Sequence, residues 1–222
     1  MATINISRQG HITGVNNANF NTARTSEVGL LVVTDGITGT KPVQYFHSVR
    51  GKRFQRAFLY FDTSGITGTL SAAHIDVAGG SASPDPNDTI MIKSTAFGGD
   101  GGTALAASDF YSSLDYSTAY STELTSWSTS GNNEYTLTAA ALADIKNNNH
   151  FTLAIIEHDS DYTNSDQGTG VYDIYINFNT TITLDYTLAP TGYGNNVNGV
   201  ASASIGKING VATANISKIN GV

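Results

Sequence analysis

The chain has 222 residues, with 23 Gly, 4 Pro, no Cys and a formal charge of −7, and only 13% of its residues are charged, about half the usual share. Absence of Cys excludes disulfides, thiolate zinc sites and cysteine nucleophiles. The acidic balance argues against nucleic acid as a partner, while an apolar share of 40% allows a real core and argues against simple disorder.

The first residues, Met1-Ala2-Thr3-Ile4-Asn5-Ile6-Ser7-Arg8, have no basic start followed by a long apolar run, so no signal peptide is expected. Apolar runs such as Leu30–Val33 are far too short to span a bilayer, and no membrane partner is expected. Residues 1–24 read as an N-terminal arm. A chain made in a host cytoplasm then reaches an outside station by a route other than Sec export, phage assembly and lysis being one.

From residue 25 onward the pattern is short β-type runs separated by Gly, Asn, Asp and Ser. Strands are predicted at Val28–Thr34, Val43–Val49, Phe54–Asp62, Ala73–Ala78, Thr89–Thr95, Glu134–Leu137, Phe151–Glu157, Val171–Phe178 and Thr181–Leu188. In the third run Ala57, Leu59 and Phe61 face one way, and Arg56, Phe58 and Tyr60 the other. Large apolar groups on both faces mark a central strand. Tyr172, Ile174, Ile176 and Phe178 share one face of their run, the period of two expected of a half-buried strand.

Two short helical segments interrupt the strands. Thr138 precedes Ala139-Ala140-Ala141-Leu142-Ala143-Asp144-Ile145-Lys146, a cap residue followed by strong helix formers. Ser108–Leu114 has the composition of one capped turn. The predicted class is all-β, an antiparallel, jelly-roll-like β-sandwich over residues 25–189.

After Pro190 the composition changes. Asn198-Gly199, Asn209-Gly210 and Asn220-Gly221 recur with a period of 11, and Lys207 and Lys218 keep the same phase. Asn-Gly favours a tight turn because both residues tolerate positive φ. Three such units cannot bury much surface alone, so residues 190–222 read as a repeat tail for attachment or oligomer contacts. Charge divides at the same place: residues 1–185 carry −9 and residues 186–222 carry +2.

No residue set singles out a catalytic site. There is no Gly-x-Ser-x-Gly elbow, phosphate loop or dinucleotide fingerprint, and the five His residues show no helical zinc spacing. Three weaker constellations remain. Asp159, Asp161 and Asp166 offer oxygen ligands for calcium or form a solvated acidic loop. Trp127 with Tyr111, Tyr116 and Tyr120 offers flat apolar rings to a glycan or packs internally. Arg50, Lys52, Arg53 and Arg56 form the one basic cluster, which faces a phosphate or carboxylate partner or the protein's own acidic groups. Pro84-Asp85-Pro86-Asn87-Asp88 reads as a turn.

Residues 25–188 resemble the DNRLRE-type β-sandwich module of secreted and surface bacterial proteins. The match lies in Arg56-Ala57-Phe58-Leu59-Tyr60-Phe61-Asp62-Thr63-Ser64-Gly65-Ile66, in Leu70–Ile75, in the helix Leu137–Ile145 and in the strand Phe151–Glu157. Asp159–Gly170 stands where that family has a Ser-x-Glu signature. The Lys-Ile-Asn-Gly-Val repeats are similar to those ending structural proteins of tailed phages. Together with the absence of a signal peptide, the resemblance of the repeats implies a virion component, whether capsid decoration, fibre or tail and neck attachment. Its implied partners are other virion proteins and further copies of itself. The alternative is a carbohydrate-binding module for host or surface polysaccharide.

Overall fold

The computed structural model describes residues 1–83, 88–189, 207–208 and 211–212. The chain divides into a unit of Met1–Thr187 and a second of Leu188–Val222. In the first unit the strands are β1 (Ala2–Asn5), β2 (Arg8–Thr13), β3 (Leu31–Thr34), β4 (Thr40–Ser48), β5 (Gly51–Asp62), β6 (Leu70–Ala82), β7 (Thr89–Ser94), β8 (Leu114–Ala119), β9 (Asn132–Thr136), β10 (His150–Glu157), β11 (Gly170–Asn177) and β12 (Thr183–Leu188). Two helices, α1 (Phe20–Thr25) and α2 (Ala139–Asn148), join them. The protein is mostly antiparallel β-sheet. No helix among the described residues is long and apolar enough to cross a membrane.

All nine predicted strands are present, several with shifted ends. Residues 1–24, read as an arm, contribute β1, β2 and most of α1. β1 pairs with β12, Ala2 opposite Tyr186, and β2 pairs with both β3 and β5. Asn19 caps α1 by accepting the Thr22 N–H at 3.0 Å. Thr138 caps α2 by accepting from the Ala141 N–H, as its position before the Ala run predicts. The turn expected at Ser108–Leu114 is a 3₁₀ turn over Ala107–Phe110, and the chain then enters β8.

β5 organises the sheet. β2 runs along it from Thr13 opposite Gln55 to Arg8 opposite Tyr60. β4 pairs with its first half, Gln44–Ser48 opposite Gly51–Gln55. β10 pairs with its second half, with register from Phe61–Phe151 to Ala57–Ile155. A strand residue has only two hydrogen-bonding edges. β2 therefore holds one edge of β5, while β4 and then β10 share the other. The sheet forks there: β4 leads to β11 and β6, and β10 leads to β7 and β8.

Two cores form on opposite faces of β5. Ala57, Leu59 and Phe61 join Leu153 and Ile155 of β10, Ile75 and Val77 of β6, Ile174 and Ile176 of β11, and Ile145 of α2. Both branches of the fork thus fill the first core. Phe54, Phe58 and Tyr60 join the second, with Ala154 and Ile156 of β10 and Ala23 of α1. Phe97 and Phe110, from the turns after β7, close it. β5 is thus buried on both faces, as its sequence predicts.

One glycine marks a close crossing. A Cβ on Gly79 of β6 would lie 1.7 Å from the Ser128 carbonyl oxygen, so only Gly admits the 128–131 loop over this strand.

In the second unit, β13 (Lys207–Ile208) pairs antiparallel with β14 (Val211–Ala212), Lys207 opposite Ala212 and Ile208 opposite Val211. The pair brackets residues 209–210. The Asn198-Gly199, Asn209-Gly210 and Asn220-Gly221 positions and Lys218 lie outside the described residues, as do residues 84–87 of the turn expected at 84–88.

Candidate functional site

The most heavily built polar feature is a buried ionic cluster in the second core. Arg56 points from the apolar face of β5 and is fully buried. Its Nε donates to Asp161 Oδ2 at 2.6 Å and its Nη2 to Asp161 Oδ1 at 2.8 Å, a bidentate pairing. Further donations reach the carbonyls of Phe110 and Arg24. Arg24, from α1, donates through Nε to the Asp161 carbonyl at 2.9 Å and to Oδ1 at 3.2 Å. The Tyr116 hydroxyl donates to the same Oδ1 at 2.9 Å.

Two guanidiniums therefore face one aspartate. Aromatic rings offset the remaining positive charge: Arg56 lies 4.0 Å from the Phe110 centroid, and Arg24 lies 4.1 Å from that of Tyr116. Such contacts stabilise a desolvated cation. Burial works against the charge on Arg56, and Asp161 holds it protonated.

Asp161 is positioned by Glu157, the last residue of β10. Its carboxylate accepts the N–H groups of Asp159, Ser160 and Asp161 at 2.8, 2.8 and 3.0 Å. These close a single π-type turn over His158–Tyr162. Burial pushes the Glu157 pKa up to about 8 against the pull of those three donors.

The calcium candidates separate. Asp161 is spent on Arg56 and Arg24. Asp166 accepts from the Tyr45 hydroxyl and pairs with Lys52 at 3.3 Å. Asp159 instead joins Glu123 and His158, with His158 Nδ1 at 3.0 Å from each.

The glycan candidates separate as well. Tyr120 is buried in the first core, and Trp127 packs against it with its indole N–H buried and unbonded. Tyr111 and Tyr116 pack at the second core, 5.7 Å apart, around Arg24. Of the four, Tyr120 reaches a polar pocket, lined also by Lys93, Asp144, Asn148, His150 and Thr152. Lys93 Nζ lies 2.8 Å from Asp144 Oδ2, which also accepts from the Tyr120 hydroxyl.

The basic cluster is mostly consumed internally. Arg56 and Lys52 take Asp161 and Asp166. Arg53 lies over the Phe46 ring at 5.4 Å. Arg50 stays exposed at the β4–β5 turn.

A further cluster was not foreseen. His74 and Asp76 of β6 meet Glu134 of β9, their ligand-type atoms all within 4.8 Å of one another. Its readable part is the alternation His74-x-Asp76. The contribution of β9 depends on strand register, which no local pattern encodes. Compared with known proteins, the chain matches no family model and no curated sequence.

Proposed function

We propose that the chain is a structural, non-catalytic component of a bacteriophage virion, a β-sandwich that is displayed while its terminal repeats tie it to neighbouring subunits. The forked sheet supports the sandwich, because both branches contribute side chains to one core. The observation that carries the assembly role is the antiparallel pairing of Lys207–Ile208 with Val211–Ala212. The pairing falls within one unit of the 11-residue repeat. Short hairpins bury too little surface to be stable alone, so they gain stability by adding to strands of other copies. Repeated weak contacts then combine through avidity. The charge division supports the same arrangement, a body of −9 with a tail of +2.

The test is incorporation. Particles assembled with a chain ending at residue 189 are expected to lack the protein, although the truncated chain folds. Normal incorporation of that chain would refute the proposal.

A second reading, carbohydrate binding, has one observation in its favour. The Tyr120 pocket presents Lys93, Asp144, Asn148 and His150 beside an aromatic ring, groups suited to sugar hydroxyls. Residues 1–189 on a glycan array test it, and absence of saturable binding to any surface polysaccharide removes it.

A further inference from the structure

The solvent side of β6, β9 and β12 carries an arrangement that neither assembly nor glycan binding uses. His74 and Asp76 lie two apart on β6, on one face of that strand. Asp76 is directly opposite Glu134 of β9 in the strand register. Asp185 lies on β12, the neighbour of β6 on its other side. His74 Nε2 is 4.0 Å from Asp76 Oδ2, 4.0 Å from Glu134 Oε2 and 3.9 Å from Asp185 Oδ2. One imidazole nitrogen is thus surrounded by three carboxylate oxygens, each beyond hydrogen-bonding distance.

We propose that His74, Asp76 and Glu134 form a binding site for a first-row divalent metal ion of the zinc class, with Asp185 as a neighbouring carboxylate that adds negative charge. Three features support this. First, like charges directly opposite on neighbouring strands destabilise a sheet. Asp76 and Glu134 are such a pair, and no Lys or Arg among the described residues pairs with either of them or with Asp185. A divalent cation supplies the missing positive charge.

Second, the spacing suits an ion. Ligand atoms about 2.1 Å from a tetrahedral zinc lie about 3.4 Å from one another. The ligand-type atoms of His74, Asp76 and Glu134 all lie within 4.8 Å of one another, so side-chain movements of under about 1 Å each bring them to that spacing.

Third, the carboxylates are held from outside the cluster. Asp185 accepts from the hydroxyls of Thr3 and Thr183, Glu134 from the Thr136 hydroxyl at 3.4 Å, and Asp76 from the Asn132 side chain. Outer hydrogen bonds of this kind orient metal-binding carboxylates. The mixed nitrogen and oxygen donor set favours zinc-class ions over calcium or magnesium, which prefer oxygen alone.

The Glu123–His158–Asp159 cluster is the internal comparison. There His158 Nδ1 lies at 3.0 Å from both carboxylates, so those groups already satisfy one another by direct contact.

The experiment is isothermal titration of zinc chloride into the full chain after dialysis against a chelator. One saturable site per chain is expected. Affinity should fall at least tenfold in His74→Gln and in Asp76→Asn, and should be unchanged in His158→Gln. Circular dichroism confirms that each variant is folded. Three results would overturn the proposal: no saturable binding, binding that survives both β6 variants, or binding lost in His158→Gln.

Discussion

Asp161→Asn tests the buried ionic cluster that joins α1, β5 and the 158–162 turn. The substitution keeps the side-chain shape and removes the charge facing Arg56 and Arg24, both of which are under 10% exposed. Breaking a buried pair by neutralising one partner costs about 3–5 kcal/mol, because it leaves uncompensated buried charge. Whole domains are stable by only about 5–15 kcal/mol, so the loss is large. With a urea slope of about 2 kcal/mol/M, the unfolding midpoint should fall by about 2 M. The second arm is Arg56→Met, which replaces the guanidinium with an apolar chain of similar length. In that background Asp161→Asn should cost about 1–3 kcal/mol less than in the parent, the range expected for directly coupled residues. A midpoint shift for Asp161→Asn below about 0.5 M, or additive effects in the double variant, would refute the assignment of Asp161 as the shared counter-charge.

Other expectations concern pH and packing. Glu157 has a folded pKa raised to about 8, so its stabilisation is complete below its ordinary pKa of 4.5 and is lost as pH rises through about 8. Unfolding free energy should decline over that window by up to about 5 kcal/mol, and Glu157→Gln should flatten the slope. His11 is buried, with Nε2 at 2.8 Å from the Pro42 carbonyl, and burial lowers its pKa to about 4. Its contribution is present above 6.5 and is lost as pH falls toward 4, so urea midpoints of His11→Asn should depend less on pH across that interval. Gly79→Ala forces a Cβ to within 1.7 Å of the Ser128 carbonyl oxygen and should lower the thermal midpoint by several degrees. Thr138→Ala removes the α2 cap and should cost about 1 kcal/mol by urea denaturation.

Much of this fold is written in local pattern. The double-faced apolar run Phe54–Asp62 is the strand on which both cores are built, and Thr138 before an Ala run marks the helix start. β2 escapes the same reading because Arg8-Gln9-Gly10-His11-Ile12-Thr13 is polar in sequence, yet Gly10, His11 and Ile12 are buried. Pairing with β5 on one side and β3 on the other makes it a strand, and no propensity encodes those partners. α1 escapes for the opposite reason, since Asn21-Thr22-Ala23-Arg24-Thr25 contains few strong helix formers and is held by Arg24 reaching Asp161. That partner is 137 residues away. The same distance explains why Asp161 reads as a loop carboxylate when its charge is buried. Glu134 joins His74 through register rather than spacing. Polar side chains that meet across strands are therefore the least legible part of the molecule, and the candidate sites consist of them.

The most direct test of the central claim is the solution mass, by sedimentation velocity, of the full chain and of residues 1–189 at equal concentration. The account predicts an oligomer for the full chain and a folded monomer for the shorter one. Equal association states for the two chains would contradict it, because assembly would then not depend on the repeats.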